Sequence, residues 1–268
     1  MTSTPFVRRL SFLLLLPLSA AHAQLTGPAM EQKLTDAKPG DVRILATAAI
    51  MAPLEKVRKQ AEAAVGKRLV IEYGSARGNL KDMLMAGQSC EVTLLLPDVD
   101  QALVKAGKME LTQKRVASVP IALGVAGKPP KLDVATKEGI KEALVNAKAV
   151  RYAPTGAAHD TVDKILDTLN IRNTIKDGSR EKPSGDGAAA APQWSAGQYE
   201  IDIFPLSEIL VNKSLTNLGT VIPDLQVPVV IEASTCKAPA DLAAAQAFIK
   251  FLQGPVLEPA LKASGMAR

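Results

Sequence analysis

The chain is 268 residues long, and its 32 Lys+Arg against 27 Asp+Glu leave a mild positive charge that is interspersed rather than clustered. Aromatics make up only 3% of it, so there is no basic stripe with stacking rings, and a nucleic-acid surface is excluded. Two cysteines and two histidines are too few for a zinc cluster, which needs three or four ligands at short spacing. No cofactor is expected.

Taken from its start, the chain shows Arg8 and Arg9, then an apolar run from Leu10 to Leu18, then the small-x-small pattern Ala21-His22-Ala23. This reads as a cleavable signal peptide over residues 1–23, with a run too short to span a bilayer. An uncleaved anchor is the competing reading. The chain is expected to be exported to the periplasm and to start, once mature, at Gln24. Its remaining 245 residues carry 30 basic and 27 acidic side chains, a net charge of +3. No second long apolar segment follows. In an oxidising compartment Cys90 and Cys236 either pair as a disulfide or stay as two buried thiols.

Residues 24–40 are polar and read as a loose N-terminal arm. Strands are expected at 42–46, 68–73 and 91–96. They alternate with helices from Ile50 to about Val65, from an Asn79 cap to Gly87, and from Asp98 to Ala106. Val116 to Ala126 is a long apolar strand broken by Pro120, suited to crossing between lobes. A helix over 140–148 leads to a strand at 149–152 and a helix over 157–169. Residues 178–187 read as a polar loop and 188–196 as a helix. A strand follows at 200–204, a short helix opens at Ser207-Glu208, and 226–233 is a second crossing strand. Helices over 239–252 and 255–264 close the chain. Apolar strands alternating with amphipathic helices predict an α/β protein with mixed, mostly parallel sheets. Two such units with two crossing strands predict two lobes with a cleft between them.

In open α/β sheets, ligands sit beyond the carboxyl ends of strands, where helix N-termini favour anions. Three strand-to-helix turns carry small or hydroxyl residues there: Thr47 to Ala49; Ser75, Arg77, Gly78 and Asn79; and Thr155, Gly156 and Ala157. Gly187, in Ser184-Gly185-Asp186-Gly187, belongs to a possible fourth. Ordinary helix capping explains any one of them equally well. Arg77 is the sharpest candidate, a guanidinium able to take a carboxylate or oxyanion bidentately; a solvated surface arginine is the alternative. His159, Ser207 and Glu208 are placed near the cleft, and Trp194 and Tyr199 read as packing residues.

The stretches VRILATAAIMAPLEKV, VIEYGSARGNLKDMLMAG, EVTLLLPDVDQALVKAGKM, VRYAPTGAAHDTVDKIL, YEIDIFPLSEIL and AAAQAFIKFLQGPVLEPALKASG resemble the periplasmic solute-binding proteins of ABC transporters, in their molybdate-binding-protein-like branch. The resemblance covers about residues 41–268. It implies the two-lobe periplasmic-binding-protein fold, with residues 41–117 plus 236–268 as lobe I and 118–235 as lobe II, and no catalysis. In that branch serine hydroxyls of the first two turns, backbone amides and a later tyrosine hold the oxyanion. Here the first serine position resembles Ala49, with Thr47 close by, the second falls around Arg77, with Ser75 nearby, and the tyrosine position looks like Phe204. The resemblance thus implies a monomeric binder of a small anion, a molybdate-like oxyanion or an organic carboxylate, that serves an inner-membrane ABC permease. A ligand-sensing or protein-docking module is the alternative. A periplasmic enzyme would have to use His159 with Ser207 or Glu208.

Overall fold

The structure, a computed structural model, describes residues 32–110, 112–175, 181–183 and 194–268. The expected signal peptide, most of the N-terminal arm, Gly187 and most of the helix placed over 188–196 lie outside these residues.

The first sheet is built from short, almost wholly buried strands, as apolar runs covered on both faces require. It contains β1 (Val42–Thr47), β2 (Leu69–Gly74), β3 (Val92–Leu95), β4 (Lys114–Val119) and β10 (Val229–Thr235), in the order β2-β1-β3-β10-β4. Helix α1 (Met51–Val65) links β1 to β2 and ends on Gly66, whose φ of 72° provides the left-handed cap. Helix α2 (Lys81–Met85) follows β2, and α3 (Pro97–Lys105) follows β3 with Pro97 in its first turn. The second sheet contains β5 (Ile121–Gly127), β6 (Ala149–Tyr152), β7 (Glu181–Pro183), β8 (Tyr199–Pro205) and β9 (Thr216–Thr220), in the order β7-β6-β8-β5-β9. Its helices are α4 (Lys137–Asn146), α5 (His159–Thr168), α6 (Arg172–Ile175) and α7 (Leu206–Val211). The closing α8 (Leu242–Gln253) and α9 (Glu258–Ala263) return to pack on α1.

Both sheets are mixed. In each, three parallel strands are extended by an antiparallel pair contributed through the crossing segments. The long strand expected over 116–126 is two strands, β4 in the first sheet and β5 in the second, parted at Pro120, which has no N–H to donate to a ladder. The second crossing is confined to residues 226–228, because β10 itself pairs with β3 and β4. Sheet membership therefore places residues 229–235 with the first sheet, not in the 118–235 unit expected from sequence.

Several local expectations shift. Part of the arm is docked: Leu34 is buried, its N–H and the Lys33 ammonium bond Glu72, and Gln32 accepts from the Ile71 N–H on the edge strand β2. Covering that edge removes a row of unpaired backbone groups. Strand β7 forms inside the stretch read as a polar loop, and residues 194–196 are not helical. The half-exposed strand β9 shows no apolar alternation that could have flagged it. Cys90 and Cys236 form a disulfide with Cα atoms 5.7 Å apart, joining the entry to β3 and the exit of β10. Among the described residues no helix is long and apolar enough to cross a membrane.

Candidate functional site

The two sheets face each other through the turns that leave their strands. Thr47 and Gly74 are register partners, so β1 and β2 end at one level. Beyond Gly74, residues 76–80 make one wide turn rather than a clean helix start. Asn79 does not cap a helix. Its Oδ1 accepts from the Ser75 N–H at 2.8 Å and folds the turn back on itself. A Cβ on Gly74 would lie 2.6 Å from the Asn79 amide group, so a larger residue there would displace the side chain that folds the turn.

This turn meets the β6–α5 turn of the other sheet. The Ser75 hydroxyl lies 2.5 Å from the Thr155 carbonyl oxygen and 2.9 Å from the Thr155 hydroxyl, and the Arg77 N–H donates to the same carbonyl at 3.2 Å. Gly78 permits the approach, since a Cβ there would sit 2.7 Å from Thr155 Oγ1. Gly156 lets its own turn close, because a Cβ would fall 2.7 Å from the Ala153 Cβ. Ala157 follows and lines the adjoining cavity.

Thr47 is 2% exposed, and its hydroxyl bonds no other described residue. Ala49, in the next turn, is fully buried, and its carbonyl accepts from the Ser207 hydroxyl of α7 at 2.7 Å. Ser207 thus ties the second sheet's last helix to the first sheet's first turn. Phe204, one residue before the end of β8, is half-buried and the register partner of Ala122. Glu208, also half-buried, has its carboxyl pushed up to about 7 by burial.

The sharpest residue of the sequence is not a free anion receptor. Arg77 Nε donates to Asp98 at 2.8 Å, Nη2 to Asp160 at 2.7 Å, and Nη1 to the Gly156 carbonyl at 3.2 Å. Asp98 lies on α3 beside the first sheet and Asp160 on α5 beside the second. Next to this group a cavity of about 360 Å³ runs between Leu96, Pro97 and Ala157 and the second crossing segment at Val227–Val230.

The three candidates for catalysis are not one group. His159 Nε2 lies 3.2 Å from Asp163 one turn along its own helix, while the Ser207 proton is committed to Ala49. Among the described residues no cluster of three or more His, Cys, Asp or Glu is arranged to hold a metal ion. Sequence reasoning missed Asp98, Asp160 and Gln226. The first two had only a place in a helix's opening turn as a signal. Gln226 bridges the crossings, accepting from the Ile121 N–H at 2.7 Å and donating to the Ile121 and Val221 carbonyls at 3.2 and 3.0 Å.

Comparison with known proteins gives a consistent result. The family described as bacterial extracellular solute-binding protein matches residues 42–267. The molybdate-binding protein ModA of Azotobacter vinelandii is 27% identical over 238 residues, 85% of this chain and 90% of that protein. Among solved structures, the periplasmic molybdate-binding protein of Azotobacter vinelandii superposes with a TM-score of 0.67 at 17% identity, covering 85% of this chain and 99% of that one. The sulfate-binding protein SubI of Mycobacterium tuberculosis gives 0.61 at 14% identity, covering 84% and 86%. These likenesses carry the two-lobe periplasmic-binding fold.

Proposed function

The chain belongs to the bacterial extracellular solute-binding proteins, and from that premise we propose that it captures a small tetrahedral oxyanion between its lobes and delivers it to an inner-membrane ABC permease. The observation that carries this reading is the chemistry of the seam. Thr47, 2% exposed and with no hydrogen bond from its hydroxyl to another described residue, ends β1 level with Gly74, where the chain enters the turn in which the Ser75 and Thr155 hydroxyls meet from opposite lobes. Backbone N–H groups at the N-termini of α1 and α5 face the same end of the sheets. A fully ionised oxyanion needs donors and no acceptors; hydroxyl protons and helix-terminal N–H groups supply them without a counter-charge, the Ser75 proton turning from the Thr155 carbonyl to the ligand. Arg77, already held by two carboxylates, does not favour a carboxylate-specific pocket. Molybdate and sulfate are the ligands named for the relatives.

In this reading the residues that contact the anion are Thr47, Ser75, Gly78, Thr155 and Gly156, with Ala49, Ala157, Phe204 and Ser207 shaping the walls. Asn79 holds its turn. The protein works in the periplasm as a monomer and catalyses no reaction. The family and the Arg8 to Ala23 pattern support that location.

A thermal-shift panel of molybdate, tungstate, sulfate, phosphate and small carboxylates tests the proposal. A ligand at one hundred times its dissociation constant stabilises the fold by about 2.7 kcal/mol. For a chain of this size that raises the melting temperature by roughly 5–10 °C. A shift with an oxyanion is expected. A shift only with carboxylates, or with nothing in the panel, overturns the ligand class.

A further inference from the structure

We propose that Arg77 is an interlobe clasp: it sets ligand affinity by holding the lobes closed through Asp160, without touching the ligand. The proposal rests on the reading that a ligand binds between the lobes. Three of the guanidinium's five N–H groups are engaged, and they split between lobes. The Asp98 bond stays within one lobe, whereas the Asp160 and Gly156 bonds reach the other. The geometry exists only because the turn of residues 76–80 touches that of residues 153–158, where Arg77 N–H and Ser75 Oγ both meet the Thr155 carbonyl. Separating the lobes breaks every Arg77 contact except the one to Asp98. Asp98 is therefore the positioning residue that keeps the guanidinium aimed across the seam, and Asp160 is the catch.

Charge argues the same way. One guanidinium lies between two carboxylates, so the group carries a net negative charge and does not attract an anion. Each carboxylate sits in the first turn of its helix, where the positive end of the dipole favours it. The Arg77 side chain is 19% exposed, while Asp98 and Asp160 are about half exposed at 54% and 49%. The arginine is thus the ordered centre and the carboxylates its wetter arms. An exposed pair of this kind contributes little to overall stability, but closure is an equilibrium between nearly balanced states, and a small bias there shows directly in affinity.

The sign of one substitution decides between clasp and receptor. Asp160→Asn removes the catch and one negative charge while keeping the side chain's shape. A clasp predicts about three- to tenfold weaker binding of a molybdate or sulfate probe, with a larger loss at low salt. It also predicts a larger radius of gyration by solution scattering of the protein without added anion. A receptor predicts tighter binding, because a freed guanidinium beside less negative charge attracts anions better. Arg77→Gln should weaken binding further, since it leaves Asp98 and Asp160 facing each other uncompensated. Adding Asp160→Asn to Arg77→Gln should restore part of that loss. Tighter or unchanged binding in Asp160→Asn overturns the clasp. If no oxyanion binds the wild type, the functional reading fails and scattering alone decides the clasp: an expanded Asp160→Asn variant supports it, an unchanged one overturns it. Melting curves of each variant check that the fold is kept.

Discussion

The two sheets share a plan and differ in how they are held. Each is a parallel triplet extended by an antiparallel pair, and their strand orders correspond position for position. The first sheet, however, is fastened from all sides. A disulfide ties the start of β3 to the end of β10, the 32–36 segment covers the β2 edge, and Ala267 pairs with Ser118 on the β4 edge. The second sheet, as far as it is described, ends on a three-residue strand, β7, and on the half-exposed β9. The same topology thus supports a braced platform and a more lightly held partner. In a binding protein that closes by hinge motion, only one lobe needs to act as the fixed frame.

The largest effect that would break this comparison comes from replacing both cysteines by serine. A cross-link spanning 146 residues of sequence constrains the unfolded chain, and its loss is expected to cost about 2–5 kcal/mol. The melting temperature should fall by roughly 5–15 °C. Calorimetry checks it, and an unchanged melting temperature would mean that the disulfide is not what braces the first lobe.

A second test probes the strain inside that braced lobe. Asp100 on α3 is fully buried, and one of its oxygens has no hydrogen-bond partner. Its other oxygen accepts from Ser234 at 3.1 Å. Burial, with smaller contributions from Glu232 and Asp98, pushes its carboxyl up to about 7, against the Ser234 hydrogen bond that pulls it down. Raised above the usual carboxylate range, the folded state holds this proton more tightly than the unfolded chain does. The contribution of this group to stability is therefore full below about pH 4 and is lost as pH rises through about 7. Asp100→Asn should flatten that slope and raise stability at pH 8 by about 1–2 kcal/mol. Urea titrations at pH 5 and pH 8 measure it. An unaltered slope would assign the pH dependence to Asp202 in the second lobe or to Glu208, both also raised to about 7 by burial.

How much of this was legible in the sequence follows from the range of the forces involved. Strands β1 to β3 announced themselves because continuous apolar runs encode burial on both faces, and Pro120 marked a crossing because its missing N–H is a local fact. β9 was not legible, since the side chains of Thr216–Thr220 carry no periodicity and its pairing comes wholly from β5. Arg77 shows the same limit at the site. The sequence places a guanidinium on a glycine-rich turn, but its partners Asp98 and Asp160 lie 21 and 83 residues away. Nothing local distinguishes an arginine awaiting an anion from one already held. The seam's glycines were visible as small residues, while the close approach at Gly78, to the Thr155 hydroxyl of the other lobe, was not.

The smallest expected effect sharpens where the braced lobe ends. Gln226 and Val227 precede β10 in sequence, yet their hydrogen bonds go to the second lobe. Gln226 clamps the Ile121 and Val221 backbone, and Thr161 of α5 accepts from the Val227 N–H and donates to its carbonyl, both at 3.0 Å. The change from one lobe's hydrogen bonds to the other's falls between Val227 and β10, with Pro228 at the joint, so a closing motion would pivot there. Gln226→Ala would leave the Ile121 N–H without its acceptor in a part-buried site, a cost of about 1–2 kcal/mol. Because Gln226 links two segments that move together, its loss should loosen the second lobe's side of the hinge. Hydrogen exchange should therefore accelerate at the Ile121 amide and its β5 neighbours while the β1–β3 amides keep their protection. Faster exchange in β10 and β3 as well would mean that the crossing is fastened to the braced lobe instead, and the hinge would have to be moved to the other side of Gln226.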